Sequence, residues 1–189
     1  MQVFEYVFVL MSIIIGLALT HLLQGLANIV QHPGRDRIWW VHLLWVAWAF
    51  FFSIFWWWWQ FRYYTIETWT LPLYLFVVGY AFLVYLIAAM LFPKDLVGYD
   101  GFKDYFLSRH RWFFSLLITA CLFDFVDSWQ KGADYLASLG VNYFAYLATI
   151  IVLGIAGMLT RNERAHAFIA LVLLGYQVYW AFLSFLTVE

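Results

Sequence analysis

Charge is scarce in this chain. Only 11% of its 189 residues are Asp, Glu, Lys or Arg, while 66% are hydrophobic, and mean hydropathy is +0.82. Soluble domains carry about 25% charged residues. A soluble fold of this size has no way to hide so much apolar surface, so lipid must cover part of it. The net charge of −1 supplies no long-range field for nucleic acid. One cysteine, Cys121, excludes an intramolecular disulfide and a Cys-based zinc knuckle. Prolines are few as well, and Pro33, Pro72 and Pro93 fall between or at the edges of apolar runs. There is no Gly-rich phosphate loop, no GxSxG elbow, no HxxxH or HExxH pair, and no Lys in the last apolar run for a Schiff base. Short loops leave no room for a soluble catalytic domain, so an enzyme is not the expectation. The opening Met1-Gln2-Val3-Phe4-Glu5 has no basic residue. It therefore does not read as a secretory signal, and the first span is expected to be retained.

What is present is apolar length. About 20 apolar residues cross a bilayer core. Six stretches qualify, at approximately 6–30, 38–61, 71–92, 112–130, 141–160 and 165–188. The expectation is all-α: a polytopic integral membrane protein, one domain over 1–189, with six transmembrane helices in one bundle. Trp39-Trp40 and Trp56-Trp57-Trp58-Trp59 mark the two interfaces of the second span. Four consecutive Trp cover every side of a helix, so some must pack inward. Pro72 sits in the first turn of the third span and Pro93 stops it. Between spans three and four, Phe102, Tyr105 and Phe106 recur at helical spacing, with Asp100 as a candidate cap. Gly101 to Arg111 is therefore read as a short interfacial helix. Lys131 to Gly140 reads as a polar turn. The fifth span holds Ala145, Ala148, Thr149, Gly154, Ala156 and Gly157, a packing face for a neighbouring helix.

Two polar features interrupt the apolar runs. In the first span, His21, Gln24 and Asn28 share one helical face. In the fourth, Asp124 and Asp127 precede Lys131. A mid-span Asp costs about 2.5–3.5 kcal/mol, so that span inserts only marginally alone. Both features are expected to turn inward and meet. Together they form a candidate proton or ion path, or a polar core, made of His21, Gln24, Asn28, Asp124 and Asp127. The plainer reading is structural: an intramembrane His bonded to a neighbouring helix, and Asp127 paired with Lys131.

Basic residues set the orientation. The loops after spans one, three and five hold Arg35, Arg37, Lys94, Lys103, Arg109, Arg111, Arg161 and Arg164, against Arg62 and Lys131 on the other side. That places the odd loops in the cytoplasm and both termini outside it. All five histidines then fall on the cytoplasmic half, and Glu5, Glu67, Asp124, Asp127, Asp134 and Glu189 on the outer half. Bis-histidine haem requires matched depth. His21 and His42 sit about 13 and 6 Å inside their spans, which counts against that pair. No cofactor is expected, and His32, His110 and His166 lack metal-ligand spacing, so no metal either.

The leading expectation is a small inner-membrane channel or transporter for protons, cations or a small solute. The alternative is a non-conducting accessory subunit of a membrane complex, or a lipid- or quinone-binding protein; a haem electron carrier comes third. Expected partners are the lipid bilayer and either further copies in a homo-oligomer or a larger membrane complex, with no nucleic acid. The opening Phe4-Glu5-Tyr6 with Ser12-Ile13-Ile14-Ile15-Gly16-Leu17-Ala18-Leu19-Thr20-His21-Leu22-Leu23 is similar to that of small bacterial membrane proteins. The resemblance covers one span, carries no motif and implies no activity.

Overall fold

The computed structural model describes residues 3–185, with side chains for residues 3–182. In chain order the elements are α1 (Val3–Gln31), α2 (Trp40–Trp59), a 3-10 turn (Gln60–Thr65), α3 (Leu71–Ala89), α4 (Phe102–Gln130), α5 (Ala133–Ser138), α6 (Gly140–Leu159) and α7 (Glu163–Phe185). All except α5 and the 3-10 turn are helices long and apolar enough to cross a membrane, giving six. The six-helix bundle read from the sequence is therefore the observed architecture. The last expected span ran to 188; positions 186–188, and Glu189, lie outside the described residues.

Short connections make successive spans run in opposite directions, so the bundle has two distinct ends. The basic loops after α1, α3 and α6 share one, called here the basic end. The 3-10 turn and α5 lie at the opposite end. α1 packs on α3 and α2, α4 on α6 and α3, and α2 on α7. The centre is aromatic. Trp45 is fully buried, with its ring edge-on to Phe113 at 4.9 Å and to Phe114 at 5.4 Å. Such pairs add about 0.5–1.5 kcal/mol beyond their buried area. Of the four consecutive tryptophans, Trp56 is buried and Trp58 is 52% exposed. Trp57 donates to Ser12 Oγ at 3.0 Å.

Thr70 caps α3, its hydroxyl accepting from the Leu73 amide at 3.4 Å, and Pro72 follows in the first turn. Pro93 lies just past the end, as the sequence requires. The small-residue face of α6 is real but narrower than expected. Gly154 and Gly157 are buried on α4, where a Cβ at Gly157 would overlap the ring of Phe114. Ala145, Ala148 and Ala156 face outward.

Three local expectations are corrected. The interfacial helix at 101–111 is not a separate element: it is the start of α4, which runs unbroken for 29 residues. Asp100 does not cap it; its carboxylate pairs with Arg37 at 2.6 Å. The N-cap is Gly101 at φ +110°, where a Cβ would lie 2.7 Å from Arg37 Cβ. Only glycine takes that conformation freely, and it lets the Phe102 amide donate to the Arg37 carbonyl at 3.2 Å. The turn at 131–140 holds the short helix α5.

Candidate functional site

The histidines at the basic end have a common occupation. α3 ends at Ala89 and Pro93, which has no N–H, soon follows, so the carbonyls of the intervening Met90, Leu91 and Phe92 lack intrahelical donors. Three side chains supply them. Tyr105 donates to the Met90 carbonyl at 3.0 Å, His42 Nε2 to Leu91 at 2.7 Å, and His21 Nε2 to Phe92 at 2.9 Å. A carbonyl only accepts, so in each of these two histidines it is Nε2 that carries a proton. His166 Nε2 does the same for Thr160 at 3.1 Å, and His110 Nδ1 for Leu107 at 2.6 Å. His21 and His42 thus lie at one level, contrary to their depths counted along the sequence. Each spends its Nε2 on α3.

The expected meeting of the helix-one ridge with the acidic pair does not occur. His21 is level with the end of α3, and α1 runs on beyond it. At 1.5 Å per residue, Gln24 and Asn28 stand about 4 and 10 Å further out. Leu26 and Ile29 still pack on the core, whereas Gln24 and Asn28 are exposed. The physical reason is helix length. At 29 residues α1 spans about 43 Å against a hydrocarbon core of about 30 Å. Its polar tail has no need of an interior.

The same effect moves the acidic pair. Because α4 starts at Phe102, its midpoint is Leu116, and Asp124 lies about 33 Å along the helix from the basic end. Asp124 and Asp127 occupy the last two turns, not mid-membrane, which lowers the insertion cost inferred from the sequence.

There they line a partly enclosed cleft among α2 to α7. Its empty space is about 800 Å³ out to the mouth, but side chains leave only about 70 Å³ for a water-sized occupant. The smaller figure sets what fits without rearrangement. The walls are aromatic: Trp48, Trp56, Trp59, Tyr80, Tyr146 and Trp180 among others.

The two carboxylates are held differently. Asp127 pairs with Lys131 at 2.5 Å, both side chains being at most 3% exposed. Tyr63 also donates to Asp127 Oδ1 at 3.0 Å. The Gln60 amide lies 3.1 Å from Asp127 Oδ1 and 3.1 Å from Trp56 Nε1, so the assignment satisfying both turns its nitrogen to the carboxylate. Asp124 has no ion-pair partner among the described residues; its partners are hydroxyls. Tyr80 donates to Oδ1 at 3.3 Å and Tyr143 to Oδ2 at 2.8 Å. Ser128 Oγ lies 3.1 Å from the Tyr143 hydroxyl. Since Tyr143 has one proton and spends it on Asp124, Ser128 is the donor in that contact. Outside the spans, burial, backed by Asp127 and Asp124, pushes the Tyr135 hydroxyl up to about 12. That phenol at the rim stays neutral.

The sequence therefore named Asp124 and Asp127 but missed Gln60, Tyr63, Tyr80, Ser128, Tyr143 and Gln177. Ser128 and Lys131 follow the two aspartates at four-residue spacing, a signal that was legible. The tyrosines were lost among 45 aromatic residues, the 13 Tyr, 12 Trp and 20 Phe. Among the described residues no three His, Cys, Asp or Glu converge as a metal site. No family model, curated protein or solved structure matches this chain.

Proposed function

We propose that this six-helix membrane protein is a transporter for a small solute, and that the cleft around Asp124 is its binding site. One observation carries the reading: a carboxylate anchored by two hydroxyls stands in a partly open, aromatic-walled cleft inside a membrane bundle. Concave, mostly apolar sites with a few convergent polar groups are the usual form of small-molecule sites. Between this cleft and the histidine end lie Trp45, Phe113, Phe114 and Leu117, all buried. That packing favours a carrier, which must rearrange to pass its solute, over an open proton wire. The basic-end loops would face the cytoplasm and the cleft the outer side of an inner membrane.

Uptake into proteoliposomes tests this. A panel of small labelled solutes, cationic, neutral and anionic, is offered to wild type, Asp124→Asn, His21→Leu and Gln24→Ala. Uptake of one class that is lost in Asp124→Asn and kept in the other two is the expected result. No uptake of any class, or equal uptake in all four proteins, contradicts the proposal.

A second reading, an accessory subunit, is favoured by the exposed Gln24 and Asn28 on the α1 tail. Two amides side by side beyond the end of α3 suit contact with another chain. Co-purification of a second protein in mild detergent, lost in Gln24→Ala/Asn28→Ala, supports that reading.

A further inference from the structure

The cleft is one cation short. Two carboxylates, Asp124 and Asp127, face it with one ammonium, Lys131, which is already bonded to Asp127. Both hydroxyls on Asp124 donate to it, so its oxygens stand as acceptors towards the cleft. A second acceptor stands idle in the same cleft. Gln177 is 2% exposed, lines the space, and its Oε1 has no hydrogen-bond partner among the described residues. Leaving a buried acceptor unmade is costly. Asp124 calls for a cation and Gln177 Oε1 for a hydrogen-bond donor; an ammonium ion supplies both, and an anion supplies neither. The walls complete the pattern, because Trp and Tyr faces attract cations. Lys131 already illustrates this in the protein itself, its Nζ lying 5.0 Å from the centre of the Tyr63 ring.

We infer that the cleft binds a small primary or secondary organic ammonium ion, with Asp124 as its counter-ion and Gln177 Oε1 accepting a second N–H. This rests on the reading of the cleft as a solute site and names its substrate class. The free volume of about 70 Å³ is only a few times the roughly 10–15 Å³ that admits one water, so the ion is small, of about five heavy atoms. A quaternary ammonium of equal size meets the aromatic walls and Asp124 but leaves Gln177 unpaired.

Calorimetric titration of the full chain in lipid nanodiscs, with empty nanodiscs as reference, tests the assignment. Four probes of five heavy atoms each are used: n-butylammonium, tetramethylammonium, 1-butanol and propionate. The expected order is n-butylammonium tightest, tetramethylammonium weaker, and the alcohol and the anion weakest. Asp124→Asn weakens n-butylammonium about tenfold or more, as loss of a charge-assisted bond does. Gln177→Met narrows the gap between the two cations and leaves tetramethylammonium unchanged, which keeps the test sharp should the Asp124 variant fold poorly. Binding of 1-butanol or propionate as tight as n-butylammonium overturns the cationic class while leaving the cleft a solute site. Equal binding of the two cations overturns the role of Gln177. Binding of none of the four overturns both the class and the site.

Discussion

Asp127 and Lys131 differ from an ordinary surface ion pair in being almost wholly buried. Removing one member of such a pair leaves a charge without compensation, which costs about 3–5 kcal/mol, whereas replacing both with apolar residues is often near neutral. Lys131→Met alone should therefore destabilise the protein by about that amount, and Asp127→Leu/Lys131→Met should recover most of it. Denaturant unfolding in detergent measures both. A single variant within about 0.5 kcal/mol of wild type is the result expected of exposed pairs, and it would contradict the burial. The pairing was legible from the four-residue spacing; the burial was not. It depends on Tyr63 and Tyr135, whose rings lie 5.0 and 6.0 Å from Lys131 Nζ. Those contacts come from the 3-10 turn and α5, two elements without a strong sequence signature. The histidines teach the reverse. A titratable ring inside an apolar run reads as a relay, yet the Nε2 of His21 and of His42 is taken up by a backbone carbonyl between the end of α3 and Pro93. That signal was in the sequence, as Pro93, but on a different helix.

At the scale of elements, close approach decides the packing. α6 lies against α4 through Gly154 and Gly157, with the Phe114 ring over the second. Gly157→Val should push the two helices apart and cost about 1–3 kcal/mol by overpacking. Phe114→Ala in the same chain should return part of that loss, because residues in contact couple. Additive losses would mean that the two do not touch. Which glycines matter follows from which side of α6 meets α4, and apolar residues on every side of a membrane helix hide this. Helix ends were hidden for a related reason. Six apolar runs fix six spans, but the runs do not show where polar ends stop being membrane. The tail of α1 and the first turns of α4 are helical because helix propensity and local caps carry on past the lipid boundary. Counting depth from apolar run ends therefore put Asp124 too near the centre and Gln24 too deep.

For the whole molecule, the consequence is a bundle with unlike ends. One is tied by side chains bonded to backbone carbonyls and by the Arg37–Asp100 and Lys103–Glu163 pairs. The other holds a cleft with a carboxylate, Asp124, that has no ion-pair partner among the described residues. The bundle, its membrane character and the acidic pair are legible from composition and spacing. The cleft is not, because it is built from seven segments, α2 to α7 and the 3-10 turn, that meet only after folding. Its central property is that Asp124 faces the cleft within the bundle, while Leu122, two residues earlier on α4, is 55% exposed on the outer wall. The most direct measurement places single cysteines at these two positions in a Cys121→Ser background and adds a small membrane-impermeant thiol reagent to proteoliposomes from the side of α5. Asp124→Cys should react readily and Leu122→Cys should stay protected by lipid. Fast reaction at position 122 with none at 124 would put the carboxylate in a dry interior or against lipid, and would contradict the cleft.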